Sequence, residues 1–312
     1  MTERLVTAFA PATVSNVACG FDVLGFPMEE PGDWVTARLT SSGVHIDDII
    51  GDEGRLPRDA ERNTAGVAAR ALLAAAGERR GVALTIRKGL PLSSGLGGSA
   101  ASAAAAVVAV NALMEGRASM DTLVACALEG ERLGAGSAHP DNIAPALYGG
   151  LVLVRHPSPP DVIRLPVPEG LMVVVVHPDL EIETARARAL LGTSVPLADA
   201  VRQWANLGAL VHGLHVGDFA LIARSLEDSI AEPRRAPLVP GLAAIKRAAV
   251  DAGALGCSLS GSGPSIFALC RDRDIADRVA PAMTAAVSAE IGGESQTYVS
   301  SISSRGARVV SQ

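Results

Sequence analysis

Residues 91–101 read PLSSGLGGSAA, a stretch that joins high backbone freedom to the start of an Ala-rich run. Gly95, Gly97 and Gly98 let successive N–H groups turn toward one point, and the helix beginning near Ser99 adds N–H groups with no intrahelical acceptor. Unpaired donors at the positive end of a helix form a concavity that suits a chain of phosphates. The residues alone leave a second reading open, a Gly/Ser-rich helix cap beside small-residue packing. The loop is not the usual Gly-x4-Gly-Lys-Ser/Thr form, because no lysine follows Gly98. It is not a dinucleotide fingerprint either: the third glycine is missing at the required spacing, and no acidic residue ends a following strand about 20 residues on.

A strand, a turn and a helix must present such a loop. Residues 82–88 (VALTIRK) alternate apolar and polar as a strand does, and Gly89 and Pro91 stop them; the helix after the loop spans 99–114. Further strands are expected at 4–9, 34–39, 151–155, 171–177, 256–260, 265–269 and 297–301. Helices are expected at 64–76, 120–133, 198–214, 219–229, 241–252 and 275–290, with residues 10–25 as a turn-rich loop and a Gly/Ser loop at 134–137. Strands and helices mix without an internal repeat, so the class is α/β or α+β. The proline-rich HPSPPD at 156–161 reads as a linker between an N-terminal lobe, 1–160, and a C-terminal lobe, 161–312.

Composition excludes several functions. The chain of 312 residues is 48% hydrophobic but only 3% aromatic, so its core must pack through small side chains and close backbone approach. A net charge of -6 offers no basic stripe for a nucleic acid. Leu96 to Met114 is nearly uncharged, yet Ala, Ser, Gly and Asn111 leave it too weakly hydrophobic for a membrane span. Cys19, Cys126, Cys257 and Cys270 lack metal-ligand or Cys-x-x-Cys spacing and are expected as reduced thiols. With no basic-then-apolar leader at the start, the cytoplasm is the expected compartment.

Three segments together resemble the GHMP kinases. Residues 91–101 are similar to that family's Pro-x3-Gly-Leu-Gly-Ser-Ser-Ala signature, with Gly98 in place of the first paired serine; residues 12–25, including Asn16, Gly20, Phe21 and Asp22, resemble the N-terminal signature of its homoserine kinase branch; and SGSGPSIFA at 260–268 resembles its C-terminal glycine-rich signature. The matches fall in family order. The resemblance implies an α+β, two-lobed fold, with a left-handed βαβ unit in the N-terminal lobe and a ferredoxin-like C-terminal lobe. It also implies ATP and Mg²⁺, with phosphoryl transfer to the side-chain hydroxyl of L-homoserine; other small-molecule acceptors, or a non-catalytic binding protein of the same fold, are the alternatives. A homodimer is left as an open expectation.

Carried over residue by residue, the resemblance places the ATP phosphates on Pro91, Leu92, Ser93, Ser94, Gly95, Leu96, Gly97, Gly98, Ser99, Ala100 and Ala101, and the adenine near Asn63, which equally reads as a helix start. Ser99 and Glu131 would contact Mg²⁺, a hard cation that keeps waters and borrows phosphate oxygens. The Thr-x3-Arg and Glu-Pro-x-Arg patterns fall on Thr184 and Arg188, and on Glu232, Pro233 and Arg235. The two arginines would grip a carboxylate, with Asn16 and Asp22 at the ammonium and hydroxyl end. Asn142 would lie at the reacting hydroxyl, supported by His139. Asp141 is the candidate base, against none.

Overall fold

The computed structural model describes residues 4–135 and 138–311. Strand β1 (Leu5–Ser15) pairs antiparallel with the long β2 (Leu24–Thr40), and β3 (Val44–Ile50) leads through α1 (Thr64–Ala75) to β4 (Gly81–Arg87). Helices α2 (Gly98–Leu113), α3 (Met120–Ala135) and α4 (Pro140–Tyr148) precede the hairpin of β5 (Leu151–Pro157) and β6 (Pro160–Leu165). The first sheet runs β11-β1-β2-β4-β3, where β11 is Arg308–Ser311 at the end of the chain; β5 joins the start of β2 and β6 lies outside β5. Among the described residues only β3 and β4 are parallel in this sheet, and α1 connects them, which is the βαβ unit that the resemblance implies.

Helix α2 is buried on nearly every side, among β1, β2, α1 and α3. Alanine is what permits this: a helix enclosed all round has no polar face to offer, and only small side chains let its neighbours approach. The phosphate-loop candidate is therefore attached to a helix enclosed by the core of the lobe.

The second layer system holds β7 (Met172–Pro178), α5 (Thr184–Ala189), α6 (Leu197–Val216), α7 (Phe219–Ser225), α8 (Ala231–Arg235), α9 (Leu242–Asp251), β8 (Gly256–Leu259), β9 (Ile266–Cys270), α10 (Arg273–Glu290) and β10 (Ser295–Ser301). Its four strands are antiparallel in the order β10-β7-β9-β8, the ferredoxin-like arrangement, with α9 and α10 closing a separate core over one face. Among the described residues no helix is long and apolar enough to cross a membrane.

Several expectations from sequence change. The turn-rich loop expected over residues 10–25 is half strand: β1 continues through Ser15 and β2 begins at Leu24, which leaves the turn at 16–23. Both faces of β1 are buried there, so Ala10, Pro11, Ala12, Thr13 and Val14 carry no alternation for the eye to find. The HPSPPD linker is instead the turn of the β5–β6 hairpin, with His156 opposite Asp161. The first sheet thus extends to Leu165, beyond the 160/161 division, and recovers the end of the chain as β11. The expected Gly/Ser loop at 134–137 includes Gly136 and Ser137, which lie outside the described residues.

Candidate active site

A cleft of about 570 Å³ opens between the two sheets' loops, and it is lined by the phosphate-loop candidate, the Asn16–Asp22 turn, the start of α4, α5, the end of α8 and the β8–β9 turn. The loop is built by backbone conformation. Ser93, Gly95 and Gly97 all have positive φ, and Gly97 is the N-cap of α2. A Cβ on Gly97 would collide with Thr13 Oγ1 and lie 2.8 Å from Asn142 Oδ1, whereas one on Gly98 would meet nothing closer than Lys88 Nζ at 3.6 Å. Gly97 is therefore required, and Gly98 leaves room for the serine of the family signature. Leu96, Ala100 and Ala101 point into the core, so they can offer a ligand only backbone; the Ala101 N–H is already bonded to the Gly97 carbonyl at 2.8 Å.

The loop is held from both lobes. Thr13 N–H donates to the Leu96 carbonyl (3.1 Å), Ser260 Oγ to the Gly95 carbonyl (2.7 Å) and Ser265 N–H to the Ser94 carbonyl (3.1 Å). From beneath, the buried Lys88 ammonium pairs with Asp33 and donates to the Gly98 carbonyl (2.8 Å) and Ser102 Oγ (2.9 Å), while Ser102 Oγ also donates to Asp33 (2.7 Å). Lys88 thus spends its three protons on protein oxygens.

Beside the first turn of α2, Ser99 Oγ donates to Glu131 Oε1 at 3.1 Å, and His139 Nδ1 lies 3.2 Å from the same oxygen. Glu131 is 3% exposed and its Oε2 has no hydrogen-bond partner among the described residues. A buried, half-satisfied carboxylate beside a hydroxyl and a helix N-terminus is a donor set suited to a hard cation that shares phosphate oxygens. Among the described residues no cluster of three or more His, Cys, Asp or Glu could hold a metal unaided. Burial works against a charge on His139, but the hydrogen bond and charge of Glu131, with the charge of Asp141, outweigh it and raise the imidazole's pKa.

At the other end, charges converge on Phe21. Arg188 forks onto Asp22 (2.6 and 3.2 Å), and the guanidinium groups of Arg188 and Arg235 lie 5.4 and 5.2 Å from the Phe21 ring centre. Arg235 is buried and donates to the Gly261 carbonyl at 2.9 Å; Asn16 Nδ2 donates to that same carbonyl at 2.7 Å. Asn16 Oδ1 accepts the Asp22 N–H (3.0 Å), and Thr184 Oγ1 lies 3.4 Å from Ser262 Oγ. Asn142 sits between the two ends, where its Oδ1 accepts from Thr13 Oγ1 at 2.7 Å. Asp141 beside it is wholly buried: Oδ2 accepts the Asn16 N–H (3.1 Å), Oδ1 has no partner among the described residues, and burial, then the charge of Asp22, raises its pKa from 3.8 to about 6.

Two family models match the chain: the GHMP kinases N terminal domain over residues 63–150, and the GHMP kinases C terminal over residues 207–289. Curated proteins named homoserine kinase are similar over nearly the whole chain, at 47% identity in Chlorobaculum tepidum (99% of each chain) and 46% in Xanthomonas campestris pv. campestris (98% of this chain, 94% of that one). The chain belongs to the homoserine kinases of the GHMP family. A crystal structure of homoserine kinase from Cytophaga hutchinsonii superposes with a TM-score of 0.95 at 48% identity, covering 99% of this chain and 98% of that one. An L. major mevalonate kinase structure shares the fold, with a TM-score of 0.71 at 18% identity over 94% of each chain.

The GHMP kinase cleft gathers nearly every side chain expected from sequence: Asn16, Asp22, Asn63, Ser99, Glu131, His139, Asn142, Thr184, Arg188 and Arg235 all line it. Asn63 does so as the N-cap of α1, its Oδ1 accepting from Ala65 and Gly66 N–H (3.0 and 3.5 Å) and its Nδ2 donating to the Pro57 carbonyl (3.0 Å), so the helix-start reading describes its side chain. Sequence reasoning missed Lys88, Thr13 and Gly261. A lysine ending a buried strand directly before the loop was the available signal for the first; Gly261 contributes only its carbonyl, which leaves no mark on residue type.

Proposed function

We infer that the chain transfers the γ-phosphoryl group of ATP to the side-chain hydroxyl of L-homoserine, giving O-phospho-L-homoserine. The observation that carries this reading is a clamp with both signs of charge, Asp22 against Arg188 and Arg235, placed in the same cleft as a phosphate loop. Asp22 and Arg188 neutralise each other; a zwitterion can exchange into that pair, its ammonium taking Asp22 and its carboxylate the arginines. Mevalonate brings a carboxylate that would draw the arginines from Asp22 but no ammonium to replace them, and a sugar brings neither charge to exchange into the pair.

In this reading the N–H groups of the loop and of the first turn of α2 bind the phosphates, and Lys88 holds that turn in place through the Gly98 carbonyl. The adenine end faces the wall formed by Leu56, Pro57 and Asn63. Ser99 and Glu131 would hold Mg²⁺, which supplies neutralisation of the phosphate charge in transfer. Asn142, fixed by Thr13 and adjacent to Gly97, directs the acceptor hydroxyl toward the loop. A loose transfer needs little early deprotonation, so positioning does most of the chemistry. Asp141, with its pKa near 6, is the carboxylate of the cleft able to take the hydroxyl proton and release it near neutrality.

Steady-state kinetics on Arg235→Ala test the clamp. Loss of a charge-assisted carboxylate contact, of about 1.5–3 kcal/mol, raises KM for homoserine roughly tenfold to a hundredfold and leaves KM for ATP nearly unchanged. Equal effects on both substrates would contradict it.

A further inference from the structure

The two halves of the clamp come from distant parts of the chain. One is the Asn16–Asp22 turn of the N-terminal lobe; the other is α8, which ends in Arg235. On the cleft side they meet at the Gly261 carbonyl, which accepts from both Asn16 and Arg235. Behind the cleft a single side chain joins them. Gln203 of α6 is 8% exposed, and its Nε2 donates both to the Cys19 carbonyl, in the middle of the turn, and to Asp228 Oδ1, each at 3.1 Å. Its Oε1 accepts the Ser229 N–H at 2.8 Å. Asp228 in turn accepts the N–H groups of Ile230, Ala231 and Glu232 (2.8, 2.9 and 2.8 Å) and so fixes the start of α8.

The turn needs such support. Asn16, Val17, Ala18 and Asp22 all have positive φ, and Val17 is β-branched, for which that conformation is strongly disfavoured. Backbone of this kind persists only where surrounding contacts fix it. Burial, opposed in part by a backbone hydrogen bond at Cys19, pushes its thiol up to about 12 and keeps it uncharged, so it offers the turn no ion pair.

We infer that Gln203 is a positioning residue for the acceptor: its carboxamide sets the separation between the turn that carries Asn16 and Asp22 and the helix that carries Arg235. This rests on the clamp reading above. A buried glutamine that merely satisfies neighbouring polar groups would affect stability alone; one that sets the spacing of the clamp affects homoserine binding and leaves ATP binding, which uses neither half, as it was.

Two variants separate these roles. Gln203→Met keeps the volume and removes both bonding ends; Gln203→Glu keeps the acceptor for Ser229 but turns the donor toward Cys19 and Asp228 into a carboxylate oxygen. Both are expected to raise KM for L-homoserine by roughly tenfold, Glu more than Met, with KM for ATP within about twofold and kcat little changed, the pattern of lost uniform binding. Arg235→Ala is measured alongside. If Arg235→Ala raises KM for homoserine and the Gln203 variants do not, or if they raise both KM values together, the role of Gln203 is overturned while the clamp stands. If Arg235→Ala leaves KM for homoserine unchanged, the clamp reading fails and this inference fails with it. Hydrogen exchange on the unmodified protein decides the matter even if neither variant folds. L-homoserine is expected to slow exchange at the amides of 229–232 as well as of 16–23, and protection confined to 16–23 overturns the inference.

Discussion

The substitution Asp141→Asn should stabilise the protein and impair it at the same time. The carboxyl group is wholly buried, one oxygen has a single backbone donor, the other has none among the described residues, and Asp22 adds a second negative charge nearby. Its folded-state pKa of about 6 stands above the ordinary 3.8, so the folded protein holds this proton more tightly than the unfolded chain does. Stability from this group is therefore greatest at low pH and is lost as pH rises through about 6. At ~1.4 kcal/mol per pH unit, moving from 3.8 to about 6 amounts to ~3 kcal/mol by pH 8. The carboxamide of the variant cannot ionise. Urea unfolding of both proteins across about pH 4.5 to 8 is expected to show a stability difference below ~1 kcal/mol at the acid end, growing to ~2–3 kcal/mol in favour of the variant at the alkaline end. On the activity side, kcat of the unmodified protein falls as pH drops below about 6, and this acid limb disappears in the much slower variant. A difference in stability that does not change with pH, or a variant less stable than the unmodified protein at the alkaline end, would refute the electrostatic reasoning.

Glu131→Gln removes the charge from the buried oxygen pair beside Ser99 and should lower turnover at least tenfold while raising the Mg²⁺ concentration needed for half-maximal rate; an unchanged Mg²⁺ titration removes Glu131 from the metal site. Gly97→Ala, at φ 67° and against Thr13, should abolish nucleotide binding, whereas Gly98→Ser should bind ADP as the unmodified protein does by calorimetry. Lys88→Met strands the fully buried Asp33 and should cost about 3–5 kcal/mol in chemical denaturation, with weaker ADP binding in whatever remains folded.

How far the site was legible in the sequence depended on what kind of group each position contributes. Where side chains line the cleft, the motifs of the family resemblance pointed to them: Asp22, Arg188, Arg235, Ser99, Glu131 and Asn142 all reach it. Where backbone does the work, residue types did not suffice. The Gly261 carbonyl and the Cys19 carbonyl are specified by turns, not by their side chains, and so Gln203 reads as an ordinary residue of an amphipathic helix until its partners are seen. The fold divided similarly. Helices α3 and α10 follow their apolar spacing, and α1 and α2 their Ala-rich runs, to within a few residues, but β3 and β11 escaped notice: Val44–Ile50 carries two adjacent aspartates, and Arg308–Ser311 is a four-residue edge strand held by its pairing with β1. The prolines of HPSPPD suggested a linker because composition cannot distinguish a connection between lobes from a tight turn within one sheet.

The choice of acceptor is the most direct test. ADP release measured with ATP and Mg²⁺ against L-homoserine, mevalonate, shikimate and galactose in turn should be rapid with L-homoserine alone, with an O-phosphorylated product. Comparable release with an acceptor that lacks an ammonium, or none with L-homoserine, would contradict the pairing of Asp22 with the arginines on which the reading rests.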